Sequence, residues 1–167
     1  VLIFLATVAV ACNNEKDNPQ NDSNKLKYLP GTIYYKWADH GVFNINLPTA
    51  KQSLFLESSV KRNHWDVSWD NQLVLECTDV IGDIDASHFI LSKISDGSIV
   101  KQFKYYATDG DIATGTLSPN GKMIAINPTF KDGIVIVDLD GNVIETIQSI
   151  DNVNLTEAPV WMPDNTL

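Results

Sequence analysis

Three histidines, a scatter of closely spaced aspartates, one serine in a tight turn and two cysteines are the residues of this chain whose chemistry could amount to a site. His40, His64 and His88 each stand alone, without the His-x-x-x-His or Cys/His spacing that turns two donors toward one metal ion. His40 adjoins Asp39, and His64 opens the run Trp65-Asp66-Val67-Ser68-Trp69. The acids form two clusters, Asp79 with Asp83 and Asp85, and Asp109 with Asp111. Asp83-Ile84-Asp85 and Asp109-Gly110-Asp111 alternate as ligands of a hard cation do, yet such an ion takes six or more oxygens and the remaining donors are missing. No metal and no cofactor is expected. Ser118 precedes a proline in a turn. The chain has neither a Gly-x-Ser-x-Gly elbow nor a glycine-rich phosphate loop, so the expected role of Ser118 is to cap that turn. Cys77 lies in the apolar run Leu73-Val74-Leu75-Glu76-Cys77 and reads as a small buried hydrophobe, with no adjacent base or cation to activate its thiol. No catalytic residue is assigned. His40, His64, His88, Asp83 and Asp85 remain as candidate binding residues on a face built of loops.

Charge narrows the partners. The 167 residues are 44% hydrophobic and 20% charged, enough for one domain with a core of its own. The formal net charge is -9, with lysines and arginines scattered and no basic stripe, so nucleic acid is excluded as a partner on electrostatic grounds.

The second cysteine belongs to a different kind of segment. Val1 to Ala11 is uncharged and too short to span a bilayer as a helix, which takes about 20 residues. It fits the apolar region of an export signal whose opening Met and basic residues are not in the sequence. Ala9-Val10-Ala11-Cys12 resembles the lipobox of bacterial lipoproteins. That resemblance implies acylation of the Cys12 sulfur, cleavage just before it and acylation of the freed amine. Several acyl chains, at about 0.8 kcal/mol per buried CH₂, make such an anchor permanent. Asn13 to Lys25 contains no large apolar residue and reads as a flexible tether. Asn13 does not look like an inner-membrane retention signal, and Glu15 and Asp17 resemble the surface-export context of Bacteroidetes lipoproteins. The expected organisation is therefore a partial signal peptide over 1–11, lipidated Cys12 and a tether over 12–27, and a folded region over 28–167. The expected location is the outer membrane, facing periplasm or cell surface.

Over 28–167 the elements that must position the histidines and aspartates are strands. Ile33-Tyr34-Tyr35, Val42 to Ile45, Leu73 to Leu75, Phe89 to Leu91, Met123 to Ile126 and Ile134 to Val137 are β-rich runs, and no long stretch has helical periodicity. Pro30-Gly31, Asp70-Asn71, Asp96-Gly97, Asn120-Gly121, Asp140-Gly141 and Asp164-Asn165 supply turns that need positive φ. These turns recur at roughly 45 residues, the period of a propeller blade of about four strands. Leu117-Ser118-Pro119-Asn120-Gly121-Lys122-Met123-Ile124-Ala125 resembles the S-P-D-G-K-x-I-A element of TolB-type, WD40-like propellers, and Ile134 to Gly141 resembles the I-x-V-x-D-L-x-G strand that follows it. The resemblance implies an all-β fold of about three four-stranded blades, open at both ends. It also places Trp65–Trp69, Ile112–Leu117 and Glu157–Trp161 as inner strands, and Ile99–Lys104 and Val143–Ile147 as outer strands. Trp69 and Trp161 are expected at equivalent positions.

Three functions suit such a chain. The first is an anchored, non-catalytic scaffold offering its loop face to an envelope protein, peptide or glycan. The second is the propeller half of a prolyl-oligopeptidase-like serine peptidase, whose nucleophile would lie beyond Leu167. The third is a catalytic propeller, a lyase or glycosidase, for which paired carboxylates from different blades are required and only Asp66 and Glu157 qualify. Because repeats lean on their neighbours, this stretch alone is expected to be marginally stable; a cooperative thermal transition from a soluble monomer would contradict that.

Overall fold

β-Branched and aromatic runs punctuated by Asx-Gly pairs leave the backbone little choice but short antiparallel strands. The computed structural model describes residues 29–167 apart from 109, 111, 130, 131, 151, 152 and 155–157. Cys12 and the tether, Asp109, Asp111 and Glu157 thus lie outside the described residues. Thirteen strands and no α-helix occur among those described, and the fold is all-β. The chain divides into two compact units, one ending at Ser58 and one running from Ser59 to Leu167.

In the first unit β1 (Thr32–Lys36), β2 (Val42–Asn46) and β3 (Lys51–Leu56) form one antiparallel sheet in the order β1-β2-β3. Tyr35 and Phe43 face each other across the β1–β2 pair with ring centroids 6.0 Å apart, and Tyr34 meets Phe55 edge-on at 4.7 Å. Strand β3 escaped the sequence reading because only its last residues, Leu54-Phe55-Leu56, are apolar; pairing with β2 holds it.

The second unit contains two four-stranded meanders. One is β4 (Arg62–Val67), β5 (Leu73–Val80), β6 (Asp83–Lys93) and β7 (Ile99–Tyr106); the other is β8 (Gly115–Leu117), β9 (Met123–Thr129), β10 (Gly133–Asp138) and β11 (Val143–Ile147). A small hairpin, β12 (Ser149–Ile150) with β13 (Val153–Asn154), follows. The facing sides of the two sheets bury one core, with Leu75, Cys77, Phe89 and Leu91 from the first and Leu117, Ile124, Ile126, Val135 and Val137 from the second. Phe89 stacks on Phe103 within it at 5.0 Å. The leading strands β4 and β8 pack side by side. Antiparallel four-stranded sheets layered face to face with their first strands together are propeller blades; β4 and β8 overlap two of the expected inner strands and β7 and β11 the expected outer ones, whereas 158–161 form no strand.

The turn between first and second strands repeats with its geometry intact. Asn71, Gly121 and Asn165 all adopt left-handed φ values, 57°, 65° and 67°. Each donates its N–H to the carbonyl three residues back, on Ser68, Ser118 and Met162. Superposing these turns aligns Trp161 with Leu117 and Val67, and aligns Trp69 with Pro119 and Pro163. The two tryptophans are therefore not equivalent, contrary to the expectation from sequence. Trp161 is 5% exposed and packs with Ala125 and Ile134 on the far side of the second sheet, whereas Trp69 sits on the turn itself and is 54% exposed. Residue type misled here; the turn sets the register.

The outer turn repeats as well, with left-handed residues at Gly97, Gly141 and Ala50, the last paying the steric cost of its Cβ. Gly97 has open space where a Cβ would go, but at Gly141 that atom would lie 2.6 Å from the Phe103 ring. Gly97→Ala should therefore cost about 1–2 kcal/mol through its φ alone, and Gly141→Ala about 1–3 kcal/mol more through overpacking. Urea denaturation of both variants checks the order; equal losses would show that Phe103 does not pack against this turn.

Candidate binding face and the seam behind it

Strand register decides which polar side chains reach the core between the blades. His64 pairs with Cys77 and Asp66 with Leu75, so both point to the apolar side of the first sheet. Asp66 is not idle there. Its Oδ2 accepts the Leu117 N–H of the next blade at 2.7 Å and its Oδ1 accepts the Val67 N–H at 2.8 Å. Burial pushes the Asp66 carboxyl above its ordinary range, while these two donors and nearby His64 pull it back. Burial lowers His64 in turn, partly opposed by the Asp66 charge, and its buried Nε2 has no hydrogen-bond partner. Cys77 is fully buried, and desolvation raises its thiol to about 12 against the pull of the Gly115 amide, so it is an inert member of the core as its sequence context implied. The inner-strand carboxylate that could have served a catalytic propeller is thus committed to joining two sheets.

Ser118 does what its turn requires. Fully buried, its Oγ accepts the N–H groups of Lys122 and Met123 at 3.3 and 3.0 Å and donates to Asn120 Oδ1 at 2.8 Å. Ser68 repeats the arrangement with Gln72, Leu73 and Asp70.

The loops gather at the opposite end of the sheets from these turns. There the β5–β6 turn, Thr108 and Gly110 after β7, and Asp132 before β10 come together. Asp83 accepts the Tyr106 hydroxyl at 2.8 Å and lies 3.7 Å from Lys104 Nζ; the bond to Asp83 raises the Tyr106 phenol. Asp132 ties the blades by accepting Tyr105 O–H at 3.2 Å and Thr108 N–H at 2.8 Å. Asp85 is exposed beside Gly110. Asp79 accepts the Asn63 side-chain amide at 2.5 Å and borders an open cleft of about 320 Å³ lined by Lys61, Asp79, Val80, Ile81 and Ile112. Ile81, next to Gly82 at the tip of its turn, is 81% exposed.

Of the five residues expected on a loop face, Asp83 and Asp85 lie at the start of β6, next to the β5–β6 turn. His64 is instead a half-buried strand residue at the seam. His88 lies mid-strand in β6, opposite Thr78 and Lys104. His40 is exposed in a single 3-10 turn of the first unit, edge-on to Trp37 at 6.4 Å. A histidine in a β-rich run is read as a strand position only once the pairing is known. Ile81 and Ile112 were missed although an isoleucine before a turn glycine, or just ahead of an inner strand, could have marked an apolar loop. Among the described residues no three His, Cys, Asp or Glu side chains converge as metal ligands.

Neither a family model nor a curated protein matches the chain. Solved structures similar to it include Hsv2 from Kluyvelomyces marxianus, 15% identical with a TM-score of 0.46 over 76% of this chain and 39% of that one. TolB from Acinetobacter baumannii is 16% identical with a TM-score of 0.40 over 80% of this chain and 44% of that one. Both are β-propeller proteins. The chain spans about two fifths of their length, and its blades are identified by their own topology and repeating turns.

Ser118→Ala removes the acceptor of two backbone amides in a buried turn and should destabilise the second unit by about 1–3 kcal/mol. A loss below a few tenths of a kcal/mol in chemical denaturation would mean that Asn120 holds the turn unaided.

Proposed function

We propose that this chain is an outer-membrane lipoprotein, anchored through Cys12, whose propeller is a non-catalytic scaffold that binds an envelope protein, peptide or glycan. The cleft beside Ile81 and Ile112 carries this reading: apolar side chains stand exposed at the loop end of the blades, where propellers build their sites. Elsewhere in the second unit Asp66, Asp132 and Asp83 are engaged in structure, with Leu117, Tyr105 and Tyr106 respectively. The lipobox-like Ala9-Val10-Ala11-Cys12 and the polar stretch behind it support the anchor. A flexible chain of that length reaches about 20 Å, which would keep the propeller close to the membrane but not on it.

Two measurements test the reading. In a membrane fraction, the mature chain should begin at an acylated Cys12, and Cys12→Ala should release it; an unmodified soluble wild type would refute the anchor. A photo-crosslinking residue at Ile81 should yield a specific adduct in cells while one at Val143, on outer strand β11, yields none. Equal labelling at both would remove the cleft as the binding face.

A further inference from the structure

His64 and Asp66 share one face of β4, two residues apart, and that face is closed by the next blade. Asp66 spans the closure by holding the Leu117 amide at 2.7 Å. His64 Nε2 is buried beside it without a hydrogen-bond partner. The groups around the imidazole leave a proton nowhere good to go. On β4, Arg62 is turned to the other face by the bulge before His64 and pairs with Glu76 at 2.5 Å. On β5, Cys77 is an uncharged thiol and Asp79 is taken by Asn63. Ser87 and Phe89 of β6 and Gly115, Thr116 and Leu117 of β8 carry no charge. Among the described residues, Asp66 is the charge that acts on His64, and both of its oxygens already hold backbone amides, Leu117 and Val67.

We propose that His64 and Asp66 make the seam between the two four-stranded sheets acid-sensitive: the seam is closed while His64 is neutral, and uptake of a proton at Nε2 loosens it. Burial lowers His64 from its ordinary value of 6.5. A base so depressed contributes stability that is full above the unfolded value and is lost as the pH falls below it. Asp66 is raised by burial and has the opposite sign, its contribution fading as the pH rises through its own titration. The turn carboxylates Asp70, Asp96, Asp138 and Asp164 are all lowered by their hydrogen bonds and are silent across the histidine range.

The test uses the full chain. In an NMR titration, the His64 ring proton should show a midpoint below 6.5, and the Leu117 amide should shift with the same midpoint. Between about pH 7.5 and about pH 5 the wild type should lose roughly 3 °C more in Tm than His64→Gln, which cannot take the proton. Asp66→Asn, which keeps an acceptor for Leu117 but no charge, should move the His64 midpoint further down. A His64 midpoint at or above 6.5, a Leu117 amide indifferent to it, or the same pH slope in His64→Gln would overturn the proposal. Should His64→Gln fail to fold, the Leu117 titration of the wild type decides alone.

Discussion

One carboxylate holding a backbone amide of the neighbouring sheet, Asp66 to Leu117, ties the two four-stranded sheets of the second unit at their leading strands. Blades present two apolar faces each, and burial alone does not specify how they slide against one another, because the hydrophobic effect has no direction. Directional contacts fix the offset. Asp66 binds Leu117 across one interface, and across the next the Trp161 indole N–H reaches the Thr116 carbonyl at 3.1 Å while Asn165 accepts the Asn120 N–H at 2.9 Å. Phe103 against Gly141 and Lys101 paired with Asp140 do the same at the outer edge. The core between the sheets is placed by these polar contacts and then filled.

The cost of that arrangement is concentrated at β4. A strand that offers Asp66 and His64 to an apolar interface must satisfy them or bear the desolvation. Asp66 is satisfied twice over, and His64 is not. At and beside the turns the problem does not arise, because Asp70, Asp138 and Asp164 bind the backbone amides of their own loops in contact with water.

Much of the fold was legible because its signals are local. The Asx-Gly turns, the β-branched runs and the period of about 45 residues each depend on a few neighbouring residues, and strands β1, β2, β5, β6, β9 and β10 all contain the runs that marked them. What the sequence concealed depends on pairing. Strand β3 has no pattern of its own, Ala50 occupies a left-handed turn position that a reader looks for glycine to fill, and Trp69 imitates Trp161 in type while differing in turn register. The site suffered more than the fold. Whether His64 belongs to a loop or a seam, and whether Asp66 is a free acid or a tie between sheets, is settled by a contact 51 residues away. Asp83 and Asp85 stand beside a hairpin tip, and such a tip stays at the surface whatever its partner strands do.

That separation also sets a clock. Synthesis proceeds at about 5–20 residues per second, so Leu117 leaves the ribosome about 3–10 seconds after Asp66. Leu75, Phe89 and Leu91 are themselves made within that interval, and once Tyr106 ends β7 the first sheet can be complete in its own hydrogen bonds while this side still faces solvent until β8 follows. Each blade is finished by the one made after it. A nascent chain of this design passes through a sticky half-built stage at every repeat, and slowing translation between the blades would lengthen its exposure without altering a single residue.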